Sequence, residues 1–445
     1  MKKKLLCILL SVACVISLSA CGGSTEAVID NDAKDEVIAE IEETTTEDKE
    51  QVEEAKDEAT DDEETESKEA NENAEATVSQ EYENDALAFA ASLGTGWNLG
   101  NTLDAYDDGK KLADTTSTET CWGNPKTTSD MFKTLKEAGF DSVRIPVSWH
   151  NHVTIDGDNL TIDDAWIARV KEVVDMALEN DLYAIINIHH DNMPNDKTYG
   201  YIPDYDHEEM TFTYVEGVWK IVADYFKDYD DRLIFESLNE PRLTNDETHE
   251  WWYEPGNAHC KEAVDIINRL NQSFVNIVRE SGSNNAERYL MIPGYCASPD
   301  AINTDVFKIP EDTIENHIMI AMHAYVPYNF ALNENMDFNE FNPDSSISTS
   351  DIKRIMELAQ RRYIKKGIPV VLGEFGAREK NGNLESREKY YQYYVNQCYQ
   401  FGIPCFVWDN GIVNGNGERF AILDRKNLSF VYPSIIDSIV NSWGE

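Results

Sequence analysis

LIFESLNEPR, residues 233–242, opens as an apolar strand from Leu233 to Phe235 and then delivers Asn239, Glu240, Pro241 and Arg242. Burying a carboxylate is costly unless it is paired or neutralised. Pro241 has no N–H to give to a ladder, so the strand must stop before it. Glu240 is therefore expected at the mouth of a sheet, held by rigid backbone. The competing reading is a surface loop that happens to contain Asn-Glu-Pro, and the surrounding sequence decides between them.

Seven similar apolar runs flank this one: TGWNLGN (95–101), SVRIPVSW (142–149), YAIINIHH (183–190), YLMIPGY (289–295), HIMIAMHAYV (317–326), IPVVLGEFG (368–376) and IPCFVWDNG (403–411). Between them lie amphipathic stretches at 129–140, 165–181, 263–282 and 352–367. In the second, Ile167, Val170, Val173, Val174 and Ala177 recur at helical spacing. Gly139, Gly282, Gly367 and Gly402 punctuate the helix ends. Apolar strands alternating with helices signal a parallel sheet, and eight such units predict an α/β fold of the (β/α)8 TIM-barrel type over residues 85–445. A doubly wound open sheet is the alternative, but no GxGxxG turn or phosphate loop is present.

Polar residues gather where these runs end: Asn98 and Asn101, Arg144, His189 and His190, Asn239 and Glu240, His323 and Tyr325, Glu374, and Trp408. In a parallel barrel those ends share one face, where active sites of this architecture lie. Glu240 and Glu374, on the fourth and seventh strands, would face each other across the mouth. Two carboxyl groups flanking one bond suit glycoside hydrolysis, one protonating the leaving oxygen while the other attacks or activates water. Their environments must then keep one protonated and the other ionised. Arg144 is placed to keep a nucleophile charged, although a purely structural ion pair would read the same way. Tyr325 could orient that nucleophile, and Asn239 could bind a sugar hydroxyl.

Neighbouring strand residues point to opposite faces, so His189 and His190 are not expected to share a metal ion. One should face the cleft, with His189 favoured, and the other should pack. No metal and no cofactor is expected. Trp408, Trp122 and Trp252 are candidate platforms for the apolar face of a pyranose, whereas Trp97 and Trp149 read as core.

The N-terminal region differs from the rest. Residues 1–20 have the basic start and short apolar core of a secretory signal. Leu18-Ser19-Ala20-Cys21 resembles a bacterial lipobox, which implies lipidation of Cys21 and a cell-surface lipoprotein held to the membrane by its lipid alone; an uncleaved anchor would leave the domain on the same side. Residues 21–84 form an acidic linker, with 25 acidic residues against four lysines. Such a segment should be disordered and serve as a tether, an acidic binding tail being the other reading. The remaining domain carries about −27 of the total charge of −45, which disfavours nucleic acid as a partner and favours a neutral one. Cys121, Cys260, Cys296, Cys398 and Cys405 are odd in number and lack CxxC spacing, so neither a disulfide framework nor a zinc site is indicated.

Beyond LIFESLNEPR, the segments GWNLGNTLDA (96–105), WGNP (122–125), VRIPVSW (143–149), INIHHD (186–191), HAYVPYNF (323–330) and GEFG (373–376) occur in the order seen in glycoside hydrolase family 5. The sequence resembles that family over residues 85–445, and its subfamily 4 endo-β-1,4-glucanases in particular. The resemblance implies a retaining enzyme acting on cellulose, mixed-linkage β-glucan and possibly xyloglucan. Glu240 would be the acid/base and Glu374 the nucleophile, with Arg144, His189, Asn239, His323, Tyr325 and Trp408 completing the pocket. FESLNEP departs from the FENMNEP common among relatives, outside the Asn-Glu-Pro core. A sugar-binding lipoprotein without activity, and a xylanase or mannanase on the same scaffold, are the alternatives; a monomer is the default.

Overall fold

A computed structural model of the chain describes residues 82–107, 114–157, 159–192, 199–415 and 417–444. The signal segment, Cys21 and the acidic linker up to residue 81 lie outside the described residues. Eight parallel strands close into a barrel: β1 (Thr95–Asn98), β2 (Ser142–Ile145), β3 (Tyr183–Asn187), β4 (Leu233–Glu236), β5 (Leu290–Pro293), β6 (Ile318–His323), β7 (Val370–Phe375) and β8 (Cys405–Val407). Each lies inside one of the eight apolar runs but is shorter. Asn239, Glu240, His189, His190, Tyr325 and Trp408 therefore sit just past the strand ends rather than on the strands. Among the described residues, no helix is long and apolar enough to cross a membrane.

Long helices at Ser129–Ala138, Asp164–Glu179, Glu208–Phe226, Ala258–Glu280, Ser346–Arg362 and Leu384–Phe401 follow strands one to four, six and seven. Between β5 and β6 the chain forms only short helical turns. Alternation along each strand separates two cores. Ile186, Phe235, Ile292, Ile320 and Val407 face the helices, while Ile185, Ile234, Met291, Met319, Ala321, Val371 and Phe406 fill the barrel. The first helix, Asp85–Ser92, closes the floor: Ala86, Ala90 and Leu93 join the interior cluster, and Phe89 stacks on Tyr289 beside the start of β5. Asn84 caps this helix through Leu87 N–H and donates its amide to the Gly367 carbonyl ahead of β7.

β7 breaks the alternation. Met322 pairs with Leu372 but His323 with Glu374; Cys405 pairs with Leu372 but Val407 with Phe375. β7 thus holds one residue more than either neighbour, a bulge at Gly373–Glu374. Leu372 and Phe375 both face the helices as a result, and Glu374 is turned inward to the mouth. A bulge re-aims a side chain in this way because one added residue inverts the parity of the strand.

Candidate active site

At the C-terminal end of the barrel the inward positions change from apolar to polar: Asn98, Arg144, Asn187 and Glu236, all buried. Arg144 organises them. Its Nε donates to Glu236 Oε2 (2.8 Å), Nη1 to Glu374 Oε1 (2.8 Å) and Asn98 Oδ1 (3.0 Å), and Nη2 to Asn239 Oδ1 (2.7 Å). Burial works against its charge, but Glu236 and Glu374 more than offset this, so its pKa is raised. Arg144 thus pairs with two carboxylates at once, Glu236 and Glu374.

Glu374 is held from both sides, by Arg144 and by the Tyr325 hydroxyl, which donates to Oε2 at 2.8 Å. Glu240 meets no guanidinium at hydrogen-bond distance; its Oε1 lies 2.9 Å from His323 Nδ1. Burial pushes its carboxyl above the usual range, against the weaker pull of Arg242, Arg144 and His190. Burial also holds the His323 imidazole down at about 4, so it is neutral near pH 7. Oxygens of Glu240 and Glu374 and a His323 nitrogen lie within 4.8 Å of one another. One carboxyl group is poised to stay protonated and its neighbour is paired with a cation, the division of labour that acid/base and nucleophile require.

The walls are aromatic. The Trp408 indole lies parallel to the His189 ring, 6.0 Å between centroids. Its position is fixed from behind, where Asp409 accepts from Trp97 Nε1 and pairs with buried Arg425. Trp122 donates to the Tyr106 carbonyl and lies 5.7 Å from the His190 ring.

His189 and His190 correct the sequence expectation. Their rings meet edge to face at 4.4 Å, because β3 ends at Asn187 and strand alternation no longer applies. His189 is buried with Nδ1 facing the Asn187 amide, while the more open His190 places Nε2 3.5 Å from Asp104. Both therefore line the mouth. Their donor atoms and that of Asp104 fall within 4.8 Å of one another and could gather a divalent ion. Asp104 is already engaged by the N–H groups of Asn101 and Thr102.

Two other expected residues stand apart. Asn101 lies in a left-handed turn, while Asn98 contacts Arg144. Trp252 is 68% exposed on the loop after β4, outside this cluster, while Arg242 covers the neighbouring Trp251 at 3.9 Å. Glu236 and Asn187 were not anticipated. The available signal was a lone carboxylate in the apolar run LIFES, four residues before Glu240.

The chain is similar to known proteins over most of its length. The family model described as Cellulase (glycosyl hydrolase family 5) matches residues 105–414. Endoglucanase B of Neocallimastix patriciarum is 38% identical over 360 residues, covering 79% of this chain and 70% of that protein. Among solved structures, a mutant of a glycoside hydrolase 5 lichenase from Caldicellulosiruptor sp. F32, in complex with cellotetraose, is 48% identical with a TM-score of 0.77, covering 80% of this chain and 95% of that one. A GH5-4 broad specificity endoglucanase from Ruminococcus champanellensis with bound cellotriose is 38% identical with a TM-score of 0.73, covering 81% and 100%.

Proposed function

The chain belongs to glycosyl hydrolase family 5, and from that premise we propose that it is a retaining endo-β-1,4-glucanase acting on cellulose and mixed-linkage β-glucan, with xyloglucan as a further substrate. The observation that carries this reading is the pair Glu240 and Glu374, with oxygens within 4.8 Å and oppositely prepared surroundings. Carboxyl groups of retaining enzymes lie about 5–5.5 Å apart, and those of inverting enzymes about 6.5–9.5 Å. Glu240 gives its proton to the glycosidic oxygen as Glu374 attacks the anomeric carbon, forming a glycosyl ester and releasing the aglycone. Glu240 then takes a proton from water, which attacks the same carbon and frees Glu374. Trp408 and the two histidines wall the sugar being cleaved, and Trp122 extends the surface outward. Xylanase or mannanase activity finds no specific support in this pocket.

Glu374→Gln should lower kcat on barley β-glucan by at least about 10³-fold (more than about 4 kcal/mol in activation free energy) with the fold intact; full activity in this variant would overturn the reading. Initial rates on barley β-glucan, xyloglucan, xylan and mannan should rank the first two highest. For its location, we propose a lipid-anchored protein on the cell surface, supported by the lipobox-like sequence ending in Cys21. Labelled palmitate should enter the protein when it is made in bacteria, and Cys21→Ala should abolish both the label and membrane fractionation.

A further inference from the structure

Two buried atoms beside the acid/base have no hydrogen-bond partner: Glu236 Oε1 and His323 Nε2. They face each other at 4.0 Å. At 4.0 Å the contact is electrostatic, beyond the reach of a direct hydrogen bond. The other oxygen of Glu236 is occupied by Arg144 Nε (2.8 Å) and Asn187 Nδ2 (2.9 Å), and the other nitrogen of His323 by Glu240 (2.9 Å). The space is built into β7 at the bulge, since a Cβ on Gly373 would lie 2.8 Å from His323 Nε2 and 3.1 Å from its Cδ2.

A carboxylate can only accept, so its charge favours a hydrogen on Nε2 over a lone pair directed at it. In a neutral imidazole this leaves Nδ1 as an acceptor, because the hydrogen bond made by one ring nitrogen sets the role of the other. Nδ1 then bonds to Glu240 only when Glu240 carries its proton. We propose that Glu236 is a positioning residue that fixes the tautomer of His323, so that the imidazole accepts a hydrogen bond from Glu240 in its acid form.

Stabilising the neutral form of a carboxyl group raises its proton affinity. The arrangement adds to the effect of burial on Glu240, and it also makes Glu240 a better base once the glycosyl ester has formed. Other charged or titratable groups face His323: Glu374, 3.7 Å from Nδ1, and Arg144 and His189 through their charges. Arg144 is shared with Glu374, so Glu236 has a competing role as a mere anchor for that guanidinium. The test must separate the two.

The inference rests on Glu240 being the acid/base. Its first test uses the unmodified full-length protein: ¹⁵N-histidine NMR near pH 7, with the His323 signals among the nine histidines identified by their loss in His323→Asn. A protonated Nε2 and an unprotonated Nδ1 are expected; a protonated Nδ1 overturns the proposal whatever the variants do. The second compares Glu236→Gln with the parent on aryl β-cellobiosides across pH. The freed ring can turn its hydrogen to Nδ1, so the basic limb of kcat/KM should move down by about one pH unit or more. At pH 7 the loss should be at least about tenfold greater with phenol as leaving group than with 2,4-dinitrophenol, which departs without a proton. Equal losses with an unmoved limb would reduce Glu236 to an anchor for Arg144. If the parent cleaves neither cellobioside, the proposed function fails; if it cleaves both and the limb stays, only this inference fails.

Discussion

Arg144 shows how much one side chain carries here. Its guanidinium makes four hydrogen bonds to three strands and the segment after β4, all of them buried. A lysine keeps the charge but lacks the planar fork. Arg144→Lys should therefore leave Asn98, Asn239 or Glu236 unpaired, with a loss of about 2–4 kcal/mol in stability, and lower kcat/KM by about 10²-fold or more. Urea melts and initial-rate kinetics on barley β-glucan measure the two effects separately. A variant as stable as the parent would show that the polar layer relaxes around the loss. As the proposed acid, Glu240 should set the basic limb of the pH profile. Because burial raises its pKa, activity should persist well above the titration range of an ordinary glutamic acid, about pH 4.3, and fall as pH rises through the raised value.

At the scale of the strand, Gly373 decides where Glu374 points. Gly373→Ala would thrust a methyl group against His323 and near Arg144 Nε, at 3.8 Å. It should reduce kcat more than tenfold while lowering the melting temperature by only a few degrees (about 1 kcal/mol or slightly more). Unaltered kinetics in this variant would argue against a tightly set His323. The bulge also marks the limit of what the chain discloses. Eight strands were legible because buried parallel strands are near-continuous apolar runs bounded by turns. Glu240 and Glu374 were legible because polar groups at such run ends are hard to explain as packing. The added residue in β7 was not, since GEFG reads the same in either register. His189 and His190 depart from expectation for a related reason: the apolar run outlasts the strand, which ends at Asn187, so alternation does not reach them. Glu236 escaped notice because its role depends on two other strands, β2 and β6, that no local pattern brings together.

For the whole molecule, acid should be more damaging than base. His152, His189 and His323 are buried, and burial lowers all three, His152 to about 3 and His323 to about 4. In the unfolded chain they titrate near 6.5. Between these values the unfolded state binds more protons, so stability is fully present above about pH 6.5 and is lost as pH falls toward the folded values, by up to about 1.4 kcal/mol per pH unit for each histidine. Glu240, with its raised pKa, works in the opposite sense and offsets part of this. Urea midpoints measured from pH 7.5 to 4.5 should decline steadily below pH 6.5; a flat profile would mean that the three rings are less enclosed than their packing indicates.

The helix that seals the barrel floor has a mechanical consequence. Asn84 grips the loop ahead of β7 and Phe89 sits against the start of β5, so the polypeptide enters the domain at the pole opposite Glu240 and Glu374. Whatever restrains the N-terminus holds this enzyme by its base. A pull applied ahead of Asn84 would load the floor before it reached Glu240 and Glu374 at the other end of the strands.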